Sequence, residues 1–303
     1  MPYPIANAGD TSLEDLWGQS TDFVSRSTQI SIDAMSSNPQ TRQVALAELE
    51  SQLDITKEIL AKTPNDGSAL LIQASIYVAL EDYLSANEAA QAALKALPGK
   101  EGIIAFEIMH NIASNEHTHK LGSEGMLSYD LLSVDRQIVD FSLPFIADFS
   151  PNKEWDNADI NLAHVYLDAK LDLLAAAVKD AGDGSLFTQY YTDLRSFLDI
   201  YSKFLDNSNR NTDYFLLQTI YYDASYNEAN GNHEQTLSAA NEYRNIETQM
   251  IEKDGYGSSI YGMLITMKLD IAQMLGDYDK IKVEVTSYYK ENYGTVTFPQ
   301  PFR

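Results

Sequence analysis

The sequence predicts an all-α protein. Apolar residues recur at three- and four-residue spacing along most of the chain, the period of a helix with one buried face. Proline, glycine and asparagine clusters punctuate that rhythm at intervals long enough for helices. Strand signals are nearly absent: only Thr295-Val296-Thr297-Phe298 alternates, and it is too short to matter.

The elements follow in order. Thr11-Ser12-Leu13-Glu14 carries a capping-box pattern, and Leu13, Leu16, Trp17, Phe23 and Val24 then recur at helical spacing. Asn38-Pro39 reads as an N-cap followed by proline at the first helical position. From there Leu46, Leu49, Leu53, Thr56, Ile59 and Leu60 mark one face of a second helix, which Pro64-Asn65-Asp66-Gly67 ends. A third helix is expected over 68–80 and a fourth over 82–97, closed by Pro98-Gly99. A fifth runs over 101–114, and a sixth starts near Met126, with Pro144 expected to end or kink it. Residues 149–153 are the best candidate boundary, dividing the chain into 1–150 and 151–303. The second region has no proline between Asn152 and Phe298 and breaks at 181–184, 207–211, 230–232 and 254–257.

Composition narrows the function. The 303 residues carry 44 acidic and 21 basic side chains, a formal charge of -23, so the chain repels phosphate backbones and general nucleic-acid binding is not expected. The absence of cysteine removes disulfide scaffolds, zinc knuckles, iron–sulfur clusters and cysteine nucleophiles. An apolar fraction of 44% suits a folded soluble chain, and no window approaches a membrane span. The start, Met1-Pro2-Tyr3-Pro4, has no basic region followed by an apolar one, so no signal peptide is present as written. Lack of cysteine favours a periplasmic or exported protein whose leader was removed, with a cytoplasmic one the alternative.

One unit of the chain resembles a known repeat. Pro64 and Pro98 lie 34 residues apart (98 minus 64), each just past a helix. Between them stand Leu70, Gln73, Ala74 and Tyr77, then Asp82-Tyr83, then Ala86, Ala90 and Ala93. Small residues at Ala74, Ala86 and Ala93 let paired helices approach closely while Leu70 and Tyr77 fill the gaps. This unit, about 66–99, resembles the tetratricopeptide repeat (TPR), departing from it at Gln73 and Ala90. Asn230-Gly231-Asn232-His233, with Thr236 and Ala240, resembles the family's turn again. So does Leu275-Gly276-Asp277-Tyr278, followed by the larger Ile281 and Val285. The resemblance implies antiparallel hairpins stacked as a TPR-like right-handed solenoid, irregular in the middle, with degenerate hairpins in 151–303.

The family lines its concave ligand face with the first helix of each hairpin. Carried over through the three turns, that face would hold Leu71, Ser75 and Val78, then Tyr221, Ser225 and Glu228, then Thr266, Asp270 and Gln273. None of the nine is basic, so the resemblance does not extend to a clamp for acidic C-terminal peptides. A polar or basic segment of another protein fits better. Tyrosine supports a recognition surface: 19 occur, including the doublets Tyr190-Tyr191, Tyr221-Tyr222 and Tyr288-Tyr289. Neighbours on a helix point about 100° apart, so one of each doublet is expected to pack inward.

Other chemistry is thinner. Glu107-Ile108-Met109-His110 and Glu116-His117-Thr118-His119 are two Glu-x-x-His pairs nine residues apart, and Glu107, His110 and His117 would share a helical face able to bind one transition metal. The plain alternative is a polar helix end with solvated histidines. An all-helical hydrolase would need two carboxylates across a cleft, with only Trp17 and Trp155 to stack on a sugar. No Gly-x-Ser-x-Gly elbow, phosphate loop, dinucleotide fingerprint or His-Glu-x-x-His occurs. The expectation is a non-catalytic adaptor or scaffold that binds a protein or peptide and needs no cofactor. A small-molecule- or metal-binding helical protein of the cell envelope is the first alternative.

Overall fold

The computed structural model describes residues 11–118, 130–149, 154–179, 184–207, 212–260 and 263–293. Among them all regular structure is helical, in twelve α-helices and two short 3-10 turns. No described helix is long and apolar enough to cross a membrane. The chain divides into two compact units, residues 1–147 with 157–165, and 148–156 with 166–303.

The first unit holds α1 (Leu13–Ala34), α2 (Pro39–Lys62), α3 (Gly67–Ala79), α4 (Tyr83–Ala96), α5 (Ile103–Thr118) and α6 (Leu131–Ile146). Each start has a local cause. Ser12, one residue later than the sequence suggests, caps α1 by accepting from the Asp15 amide, and its hydroxyl donates to Asp15 Oδ2 at 2.7 Å. Asn38 caps α2 from in front of Pro39, Asp66 caps α3 and Asp82 caps α4. Along α1, Leu16 and Phe23 are buried, whereas Val24 faces outward. Pro144 sits inside the last turn of α6, which ends two residues later. The expected start near Met126 lies outside the described residues. Helices pair as α1 with α2, α3 with α4 and α5 with α6. In addition α3 packs on α1, α2 and α5, and α4 packs on α5.

The second unit holds residues 166–179 of α7 (Asn157–Lys179), then α8 (Gly184–Asn207), α9 (Thr212–Ala229), α10 (His233–Asp254), α11 (Leu264–Leu275) and α12 (Tyr278–Tyr293). Here α9 pairs with α10 and α11 with α12, while α11 also packs on both α9 and α10. Leu217, Ile220 and Ala224 of α9, Ala240 and Tyr243 of α10, and Leu264, Met267 and Ile271 of α11 form one core. A separate aromatic group surrounds Trp155, whose indole stacks on Phe204 at 5.0 Å and meets Phe149 at 4.5 Å and Tyr201 at 5.3 Å.

Three hairpin turns share one geometry. Glu81, Gly231 and Gly276 each adopt positive φ, at 60°, 72° and 80°. The following amide then reaches back five residues: Asp82 to the Tyr77 carbonyl, Asn232 to Asn227 and Asp277 to Ala272, each at 2.9 Å. The positive-φ residue's own amide bonds three residues back, to Val78, Glu228 and Gln273. This pair of bonds is the Schellman motif, and it satisfies the carbonyls left open at a helix end.

Burial repeats in the same register. Seven residues before the turn stand Ala74, Ala224 and Leu269; nine after it stand Ala90, Ala240 and Val285; all six are 0–3% exposed. Five after the turn, Ala86, Thr236 and Ile281 are buried as well. The side chains grow from the first hairpin to the third while their places in the core stay the same, which is why sequence spacing alone made the later ones look weak.

Candidate functional site

The strongest candidate lies in the second unit, where α9 and α11 run beside each other. Tyr221 donates its phenolic hydrogen to Asp270 Oδ2 at 2.8 Å. Both side chains are half-buried. Burial first, and the hydrogen bond and charge of Asp270 next, push the Tyr221 pKa far up; Ser225 also bonds the phenol and opposes the shift. Burial likewise raises the Asp270 carboxyl, with the Tyr221 hydrogen bond pulling the other way. Tyr243, in the core that Tyr221 packs against, is 0% exposed, and its hydroxyl has no hydrogen-bond partner. Burial and the nearby charges of Glu247, Tyr221 and Asp270 hold that phenol neutral.

The neighbouring step repeats the chemistry. Tyr191 of α8 bonds to Asp223 of α9, which also accepts from Asn227 Nδ2 at 2.9 Å. Burial is the main cause in both partners, raising Asp223 and moving Tyr191 up to about 12. Arg195 lies close but makes its ion pair with Glu242, at 2.7 Å.

All nine residues expected on the inner helices keep contact with solvent. Leu71, Val78, Tyr221, Ser225, Thr266 and Asp270 are partly exposed, and Ser75, Glu228 and Gln273 are fully so. Six belong to the second unit, and of these the structure draws Tyr221, Ser225 and Asp270 together. Leu71, Ser75 and Val78 belong to the first unit, where Ser75 bonds back to the Leu71 carbonyl at 3.0 Å within α3.

Both members of the Tyr221-Tyr222 and Tyr288-Tyr289 doublets pack against core clusters, and no doublet tyrosine is fully buried. Hydroxyl partners explain this: Tyr221 finds Asp270, Tyr191 finds Asp223 and Tyr289 finds the Ile260 carbonyl at 3.2 Å. A phenol can pack its ring and keep its tip at a polar edge.

The histidine candidates resolve differently. Glu107 is partly exposed, and the His117 side chain lies outside the described residues. His110 Nδ1 is 2.9 Å from Asp135 Oδ1, a residue of α6 that spacing on one helix does not reveal. The available signal was Asp135 itself, a carboxylate on the inward stripe of Val134, Ile138 and Val139. Of the two tryptophans, Trp17 packs against a core cluster and Trp155 sits in its aromatic group.

Comparison with protein-family models, with curated proteins and with solved structures finds no match for this chain.

Proposed function

We propose that this chain is a non-catalytic adaptor of TPR-like hairpins, binding a polar or basic segment of another protein along its first helices. The observation that carries the reading is the recurrence of one turn and one burial register in three hairpins, α3/α4, α9/α10 and α11/α12. Within each unit, first helices contact the next first helix, as α1 does α3, α3 does α5 and α9 does α11. Such stacking leaves a row of first-helix side chains on one face, and the nine residues at matching positions are solvent-accessible and free of basic groups.

Site-specific photocrosslinking in the native cell tests this. A crosslinker at Ser75 or Ser225 should capture a partner protein, whereas one at Glu88 or Asn241, exposed on second helices, should not. Capture from Glu88 and Asn241 alone would move the binding face to the other layer. Capture from none of the four would remove the adaptor reading.

A further inference from the structure

Five buried or partly buried carboxylates of the second unit are each matched by a cation. Glu247 pairs with Lys268 at 2.7 Å, Asp277 with Arg244 at 3.1 Å, Glu242 with Arg195 at 2.7 Å, Asp193 with Lys170 at 2.7 Å and Asp213 with Lys253 at 3.7 Å. Asp223 makes no ion pair among the described residues but lies close to Arg195, whereas only burial and the Tyr221 hydrogen bond act on Asp270. Asp270 is half-buried on α11, accepts from Tyr221 and has no cation within 4.0 Å among the described residues. A carboxylate offers about four acceptor positions. The Tyr221 phenol occupies one at Asp270, and its bond to Oδ2 fixes the orientation of the group.

Tyr243, 0% exposed in the core that Tyr221 packs against, also carries an unpartnered hydroxyl. Burying a hydroxyl without a partner is costly, and so is holding a carboxylate half out of water without a counter-charge. The carboxylate's cost falls if a hydrogen-bond donor with positive charge enters from the solvent side. An ammonium or guanidinium meets that description, because it carries several N–H donors and no acceptor.

We propose that Asp270, oriented by Tyr221, is the subsite that receives a lysine or arginine side chain of the bound segment. This rests on the peptide-binding reading above and assigns its charge preference to one carboxylate. Ser225 and Thr266, at the edge of the same pair of helices, supply hydroxyls for the backbone of that segment. Glu228 and Gln273, exposed at the ends of α9 and α11, are further polar groups along its path.

The test titrates the full chain with a fluorescein-labelled peptide, Ac-(Gly-Lys-Ser)4-NH2, and with its glutamate counterpart, at physiological salt. The acidic surface attracts any basic peptide, so Asp270→Asn is compared with Glu50→Gln, which removes the same charge from an exposed position on α2. Tyr221→Phe serves as a second variant that keeps the ring, and thermal melts confirm that all three fold. The lysine peptide should bind, Asp270→Asn should weaken it about tenfold or more, and Glu50→Gln should change it less than about twofold. Tyr221→Phe should fall between. Equal small losses in Asp270→Asn and Glu50→Gln would overturn the subsite while leaving the adaptor reading standing. Preference for the glutamate peptide would overturn the charge assignment, and binding of neither peptide alongside a failed crosslinking experiment would overturn both.

Discussion

Lys268 of α11 holds Glu247 of α10 at 2.7 Å, with both side chains almost wholly out of water, at 3% and 2% exposure. Ser259 accepts from the same ammonium at 3.3 Å, and the Tyr256 ring lies 4.8 Å beneath it. Removing Lys268 leaves Glu247 in the interior with only the Arg244 guanidinium, at 3.6 Å, and removing Glu247 strands the ammonium. Lys268→Met should therefore destabilise the second unit by about 3–5 kcal/mol. Lys268→Met combined with Glu247→Leu should recover most of that loss, since the buried charges go together. Urea unfolding of the full chain, with amide exchange in α10 and α11 to localise the effect, checks both. A double variant as unstable as the single one would show that the pair contributes more than mutual compensation.

The hairpin turns make opposite predictions for the same chemistry. Glu81 stands at φ 60° where Gly231 and Gly276 stand at 72° and 80°. Left-handed backbone costs a residue with a Cβ about 1–2 kcal/mol. Glu81→Gly should thus stabilise the first unit by about 1 kcal/mol, offset in part by the greater freedom of glycine in the unfolded chain. Gly276→Ala should destabilise the second unit by a similar amount. A Cβ at Gly276 meets nothing within 4 Å, so the whole effect is backbone strain rather than a clash. Denaturation midpoints of the two variants should move in opposite directions, and movement in one direction would refute the shared-turn account.

Small residues at the hairpin cores set a third expectation. Ala90 is 0% exposed and sits where Val285 sits in the last hairpin. In α3/α4 its neighbours Ala74, Ala86 and Ala93 are also 0% exposed, so the helices are too close to admit a larger side chain. Ala90→Leu should cost about 1–3 kcal/mol through overpacking. Val285→Ala should cost about as much through a cavity. Thermal melts report both, and a neutral Ala90→Leu would mean that the first hairpin is looser than its burial implies.

What the sequence revealed and what it hid divide along physical lines. The helix cap at Asn38 was legible because its chemistry is local, one side chain bonding an amide two or three residues on. Asp66 and Asp82 do the same for α3 and α4, where the sequence marked only a helix end and a helix start. The turns at Gly231 and Gly276 were legible because glycine marks positive φ. The turn at Glu81 carries no such mark. Tyr221 and Asp270 could be placed on two helices by register, but their hydrogen bond spans 49 residues and depends on how α11 packs on α9. The Lys268–Glu247 and His110–Asp135 contacts were missed for the same reason. A lone lysine within Leu264-Ile265-Thr266-Met267-Lys268-Leu269 says only that some partner is needed.

Asp270 yields the prediction that separates a recognition group from a structural one. Burial raises its folded pKa above the unfolded value of about 3.9. A raised carboxyl binds more protons folded than unfolded between those two values, so stability falls as pH climbs through that window and stays lower above it. Asp270→Asn removes the penalty and keeps an oxygen to accept from Tyr221. The variant should melt higher than the native chain at pH 7, and the advantage should shrink to nothing as pH drops to the unfolded carboxyl value and below. Asp223→Asn should change in the same direction, because burial and the Glu242 charge raise the Asp223 carboxyl against the hydrogen bonds of Tyr191 and Asn227 and the charge of Arg195. Melting curves from pH 3.5 to 7.5 on the two variants and the native chain give the answer. An Asp270→Asn protein that melts lower at pH 7 would mean the carboxylate holds α9 to α11. One that melts higher yet loses the lysine peptide would show a charge kept for binding at the expense of the fold.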